Sequence, residues 1–249
     1  MEDQKNNIKV GFTTGDMNGV GPEILLNSLQ NTELLSLCTP VIYGALKNLN
    51  CTLSHLGYDI SFNKISSAEQ SLEGKILRLN DDGTIPNDNP FSDSPVFSFG
   101  HMNPKGLGWD NEGNLFVTEM GPSKNDEINL IKPGGNYGWP EQECGGNEEF
   151  VDPINCYDPA IEPGGIVFYY GDKIKLDNPL VLASLRASQL INLEIDDEEV
   201  KSQTSILSGM GRIRDVAVGP DGYLYLITSN TDGKGFPDAS DDKLLRIVK

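Results

Sequence analysis

The chain has 249 residues, 37% of them hydrophobic, with 27 Gly, 15 Pro and a formal net charge of −18, a composition that supports a folded core and excludes a disordered polymer. Its acidic surface repels nucleic-acid phosphates and anionic headgroups, which excludes nucleic-acid binding and polybasic membrane docking. No apolar stretch is long enough to span a bilayer, and the opening MEDQKNNIKVGF lacks the basic and apolar regions of a signal peptide, so the chain as written reads as cytoplasmic.

The elements, in chain order, begin with IKVGFTTGDMNGVGPEILLNSL: an apolar strand, a Gly-rich turn, and a helix with Pro22 and Glu23 in its first turn. Glycine permits the turn, proline loses no hydrogen bond there, and glutamate favours the positive helix end. Ile24, Leu25, Leu29, Leu34 and Leu35 are expected to form the apolar face. CTPVIYG reads as a second, parallel strand, ALKNLNCTLSHLGY as a helix carrying His55, and DISFNKI as a third strand. The Gly-rich turn either cradles a phosphate or is structural punctuation.

Cys38 and Cys51 lie in this first part and Cys144 and Cys156 in a later acidic loop, with no metal-ligand spacing. The later pair bridges in an oxidising compartment or remains as two thiols. Asp81-Asp82, Glu148-Glu149, Asp196 to Glu199 and Asp241-Asp242 read as solvated turns, with Ca²⁺ as the alternative.

After residue 73 the vocabulary changes to short strands and Gly/Asp/Pro turns. LGWDNEGNLFVTE (107–119) aligns without a gap on VAVGPDGYLYLIT (216–228), each a strand, an Asp/Gly turn and a strand. A further strand follows each, EINLI (127–131) and KLLRI (243–247), and GKILRL (74–79) is a third copy of that element. Repeated hairpins with long loops point to a β-propeller with room for about four blades, a sandwich being the alternative.

VGFTTGDMNGVGPEILL, LCTPVIYGALKNL and ISFNKISSAEQ together resemble the N-terminus of the 4-hydroxythreonine 4-phosphate dehydrogenases of vitamin B6 synthesis. That likeness implies an isocitrate-dehydrogenase-like start, NAD, and a divalent metal held by histidines further along. The chain has only His55 and His101, so the likeness carries over the turn from Gly15 to Glu23 and nothing catalytic.

SPVFSFGHMNPKGLGWDNEGNLFVTEMGPSKNDEINLIKPGGNYGWP, GGIVFYYGDKI, LVLASLRASQLINLEI and GRIRDVAVGPDGYLYLITSNTDGKG are similar to the soluble PQQ-dependent aldose (glucose/sorbosone) dehydrogenases, six-bladed propellers that are usually periplasmic or secreted. The resemblance implies oxidation of aldoses to lactones by pyrroloquinoline quinone (PQQ) held with Ca²⁺. Its cofactor-binding residues fall on Asn103, Arg186, Arg212 and Arg214, and its metal-binding carbonyls on Gly121 and Pro122. Arg212 and Arg214 alternate on a strand and project the same way, as two groups gripping one polycarboxylate must. Taken singly, each of these residues is ordinarily a solvated arginine or a plain turn.

Met102 and Met120 stand where that family has an Arg and often a His, and the family's catalytic histidine belongs to N-terminal blades outside the matched motifs. His101 is expected in a turn or core role, the catalytic residues stay unassigned, and activity is expected to be impaired. The expected architecture is therefore mainly β: a partial β-propeller of about four blades of a six-bladed type (73–249) preceded by a small α/β fragment (1–72), joined at a seam near Ser71 to Glu73 as in a fusion. The other readings are the NAD-dependent B6 enzyme and a noncatalytic interaction module that self-associates through exposed strand edges.

Overall fold

The computed structural model describes residues 8–13, 21–30, 35, 38–43, 46–58, 60, 72–196 and 198–248. They fall in two compact units, one drawn from residues 1–73 and 78–95 and the other from 74–77 and 96–249.

In the first unit, β1 (Ile8–Thr13) pairs in parallel with β2 (Cys38–Tyr43), from Ile8 opposite Cys38 to Thr13 opposite Tyr43. Helix α1 (Gly21–Ser28) precedes β2 and α2 (Leu46–Leu56) follows it. Leu26 and Leu29 of the first helical region pack on Leu49 and Leu53 of α2, an i, i+4 pair on one helical face. The expected apolar face is corrected in phase: Ile24 is 59% exposed and Leu35 is exposed, while Leu26 is fully buried. One residue turns the helix through about 100°, so a stripe centred on Leu25, Leu26 and Leu29 leaves Ile24 to solvent. His55 lies exposed on α2. The expected third strand over 59–65 lies, apart from Ile60, outside the described residues.

The second unit is a run of antiparallel sheets. The two-stranded sheet β3 (Lys75–Leu77) and β4 (Val96–Phe99) comes first. The four-stranded sheet β5 (Pro104–Trp109), β6 (Leu115–Glu119), β7 (Asp126–Ile131) and β8 (Asn155–Tyr157) follows. Next come β9 (Pro163–Phe168), β10 (Leu180–Ser184), β11 (Gln189–Asp196) and β12 (Glu199–Ser208), then the three-stranded β13 (Ile213–Val218), β14 (Leu224–Thr228) and β15 (Leu244–Arg246). These four sheets are the blades of a partial propeller, and they do not close into a ring.

Alternation along each strand builds the cores between blades. On β10, Leu180 and Leu182 face back to Phe116 and Ile128, while Val181 and Ala183 face forward to Val216, Leu224 and Leu226. A third core joins Ile76 and Phe97 to Leu115, Val117 and Ile131. The innermost strands approach too closely for side chains at some positions: a Cβ at Gly164 would stand 2.0 Å from the Arg214 carbonyl oxygen, and one at Gly106 2.6 Å from that of Gly164. Cys144 and Cys156 form a disulfide that ties the loop before β8 back to that strand.

Candidate functional site

In an antiparallel blade the start of the first strand and the end of the second lie at the same edge. Asn103, Glu162 and Arg212 immediately precede β5, β9 and β13, while Gly121 and Pro122 follow β6, Arg186 follows β10, and Ser229 and Asp232 follow β14. With Arg214 as the second residue of β13, all six residues expected at the site from the sequence lie at the corresponding strand ends of their blades.

Arg212 is the best anchored of them. Its side chain is 10% exposed; Nη2 donates to Glu162 Oε2 at 2.7 Å and Nε to Asp232 Oδ2 at 2.8 Å. Arg214 turns to the same carboxylate, with Nη2 3.6 Å from Asp232 Oδ2, and donates to Ser229 Oγ at 3.1 Å. Thus the two arginines project together, as strand alternation requires. Burial alone would raise the Glu162 carboxyl, but the Arg212 hydrogen bond and the charges of Arg212 and Lys234 outweigh it and hold it below the usual carboxylate range.

Glu162 has φ +49, a left-handed conformation that costs energy in a non-glycine residue. It is held by Asp126, whose buried Oδ2 accepts the N–H groups of Ile161 and Glu162 at 2.7 Å each, while Oδ1 accepts that of Gly121 at 3.0 Å. The Arg186 N–H donates to the Ile161 carbonyl at 2.9 Å and its side chain is exposed. Asp126 and Glu162 thereby join the turns carrying Gly121, Pro122, Arg186 and Arg212 into one hydrogen-bonded edge.

Asn103 belongs to a neighbouring network. Its N–H donates to Glu119 Oε1 at 3.1 Å and its carbonyl accepts the Met120 N–H at 3.1 Å. Glu119, Gly121 and Pro122 also line a small pocket with Asn125, Glu127 and Glu143. Burial pushes the Glu127 carboxyl up; the Cys144 N–H and the Asn129 amide lower it only in part. His101 is buried, as expected of a core role, and stacks on Tyr137 with ring centroids 4.6 Å apart.

Sequence reasoning missed Glu162, Asp232, Asp126 and Glu119. Asp126 had a signal: one residue ahead of the aligned segment EINLI, it matches Asp242 ahead of KLLRI, and Asp242 Oδ1 accepts the Asn230 N–H as Asp126 Oδ1 accepts that of Gly121. Glu162 has no repeat partner, and its bond to Arg212 spans 50 positions.

A run of unclosed antiparallel blades, with paired arginines and carboxylates along one strand-end edge, defines a partial β-propeller, and the similarities to known proteins narrow its class. The chain matches the family model described as Glucose / Sorbosone dehydrogenase over residues 56–246 and belongs to that family. The aldose sugar dehydrogenase YliI of Escherichia coli K12 is 35% identical over 187 residues, covering 66% of this chain and 50% of that protein. The solved PQQ-bound aldose sugar dehydrogenase of Streptomyces coelicolor is 40% identical over 73% of this chain and 54% of its own, with a TM-score of 0.63. The chain spans about half the length of these relatives. Separately, 4-hydroxythreonine-4-phosphate dehydrogenase of Bacteroides thetaiotaomicron is 35% identical over 77 residues, covering 31% of this chain and 21% of that protein.

Proposed function

We propose that the propeller unit binds PQQ with Ca²⁺ and acts on aldose sugars. The observation that carries this reading is the convergence of Arg212 and Arg214 on one edge, with Arg186 on an adjoining turn, in a chain of net charge −18. A concentration of guanidinium groups against that background suits a compact tricarboxylate. Arg214 and Arg186 have the exposure to meet it, their side chain and residue respectively standing open to solvent. Arg212, buried between Glu162 and Asp232, would hold the edge in register.

The donor set also suits a hard cation. Main-chain carbonyls of Gly121 and Pro122 are oxygen ligands of the kind Ca²⁺ takes, and the turn is fixed from below by the Gly121 N–H bond to Asp126. Asn103 would contact the cofactor from the edge of the second blade. When bound, PQQ supplies the two-electron acceptor for the anomeric hydride of an aldose, which leaves as the lactone. The hydroxyl proton needs a base, and buried His101, engaged at both ring nitrogens, is not placed for that work.

The test is titration of the purified chain with PQQ in 1 mM-range Ca²⁺ (about ten times a weak-site dissociation constant), followed by glucose and a dye acceptor. Saturable PQQ binding that is lost in Arg214→Gln supports the reading. Absence of both binding and dye reduction would sink it.

A further inference from the structure

Ser98, His101 and Glu119 form a chain of hydrogen bonds that the proposed chemistry does not use. Ser98 Oγ lies 2.8 Å from His101 Nε2, and His101 Nδ1 lies 3.0 Å from Glu119 Oε2. All three are buried, at 0%, 1% and 3% exposure, so the arrangement cannot receive a substrate as a nucleophile and its activating base would have to. Its effect is found at the far end. Glu119 Oε1 accepts the N–H groups of both Met102 and Asn103, and the Asn103 carbonyl accepts the Met120 N–H.

Four donors converge on this one carboxylate: the N–H groups of Met102 and Asn103, His101 Nδ1 and the Asn129 amide, the last at 3.4 Å. With Glu119 accepting at Nδ1, the ring carries its proton there, and Nε2 accepts from the Ser98 hydroxyl. Tyr137 closes one face of the ring, and the Gly74 carbonyl takes the His101 N–H at 3.1 Å. The carboxylate thus has its angle fixed by a ring that is itself fixed on each side, as a supporting shell should be.

We propose that Ser98, His101 and Glu119 are positioning residues: they set the Met102–Asn103 turn, and through it present Asn103 at the ligand edge. The inference rests on the PQQ-binding reading for its functional half, and its structural half stands apart from that reading. Removal of the histidine frees Glu119 to rotate, and the two main-chain N–H groups lose a fixed acceptor.

The experiment compares His101→Asn, His101→Gln and His101→Ala in the full chain, by PQQ titration and by amide hydrogen exchange. Asparagine can put its amide nitrogen in place of Nδ1 and keep the Glu119 bond; glutamine reaches instead to the Nε2 position and the Ser98 bond. The expected result is a PQQ dissociation constant raised on the order of tenfold in His101→Ala and His101→Gln, with His101→Asn recovering most of the affinity. Exchange protection at Met102, Asn103 and Met120 should fall and recover in the same order, while Leu182 in the third blade keeps its protection. A folded His101→Ala with unchanged affinity, or glutamine rescuing better than asparagine, overturns the proposal. Should the unaltered chain bind no PQQ, the functional reading falls and exchange alone decides: selective loss at the three amides upholds the positioning role, and uniform loss or none refutes it.

Discussion

The second and fourth blades are two copies of one motif in different surroundings. Leu107, Gly108 and Trp109 pair with Val117, Phe116 and Leu115, and Val216, Ala217 and Val218 pair in the same register with Leu226, Tyr225 and Leu224. In each, the residue after the first strand donates the N–H···O bond that closes the turn, Asp110 to the Asn114 carbonyl and Gly219 to the Tyr223 carbonyl. One face of each copy packs on the preceding blade: Leu115, Val117 and Ile131 in the first, Leu224, Leu226 and Ile247 in the second. The other faces differ. Phe116 and Ile128 are buried against the third blade, whereas Ile227 and Leu244, facing no further blade among the described residues, are exposed. Register is therefore set within the hairpin, and burial is set by the neighbour.

The largest expected effect breaks that difference directly. Ile128 is fully buried and Leu244, its counterpart in register, is 70% exposed. Ile128→Ala should cost about 2–5 kcal/mol through lost transfer energy and a cavity, and Leu244→Ala no more than about 0.5 kcal/mol. Both Trp residues, Trp109 and Trp139, belong to the propeller unit, so tryptophan fluorescence during denaturant unfolding reads that unit alone. Equal losses for the two variants would mean that the Leu244 face is covered in solution.

The capping aspartates come next. Asp126 accepts three main-chain N–H groups while buried, so Asp126→Ala should cost about 3 kcal/mol. Asp242→Ala, at an exposed turn, should cost less and leave the other blades intact. The measurement is the same unfolding curve, with PQQ affinity expected to fall further in the Asp126 variant, whose carboxylate ties together turns of two blades, than in the Asp242 variant, whose carboxylate holds the single turn after β14.

A subtler contrast lies in acid. Glu162 is held below its ordinary value of 4.5 in the folded chain, so it contributes stability above that value which is lost as pH falls through the depressed one. Glu127 has the opposite sign: burial raises it, so its cost at neutral pH is relieved as it takes up a proton. Arg212→Gln removes the main partner of Glu162, and stability curves from pH 7 to 3 should show a shallower acid limb than in the unaltered chain. An unchanged limb would show that Arg212 does not set the Glu162 titration.

These pairs also show which parts of the molecule could be read from the sequence. The hairpins could, because Asp/Gly turns and alternating apolar residues lie within 13 positions and fix register locally. The helix carrying Pro22 and Glu23 could, although its phase could not: Leu25 and Leu26 are adjacent in an eight-residue helix, and only packing on Leu49 and Leu53 chooses between Ile24 and Leu26. Arg212 and Arg214 could be paired from alternation, but their shared acceptor Asp232 lies beyond a whole strand, and Glu162 lies in another blade. Ion pairs between loops leave no periodic trace.

The smallest expected effect sharpens the likeness between the copies. Gly113 and Gly222 occupy matching turn positions at φ +87 and +79, with nothing near the site of a Cβ at Gly113 and only the Lys173 side chain, 3.6 Å away, at Gly222. Space is therefore available at both, and the cost of alanine is the left-handed backbone alone, about 1 kcal/mol. Gly113→Ala and Gly222→Ala should shift the unfolding midpoint equally even though one blade is packed on both faces and the other on one. A larger loss in the fourth blade would mean that its hairpin relies on turn geometry where the second blade relies on burial, and the register common to both would then have two different physical origins.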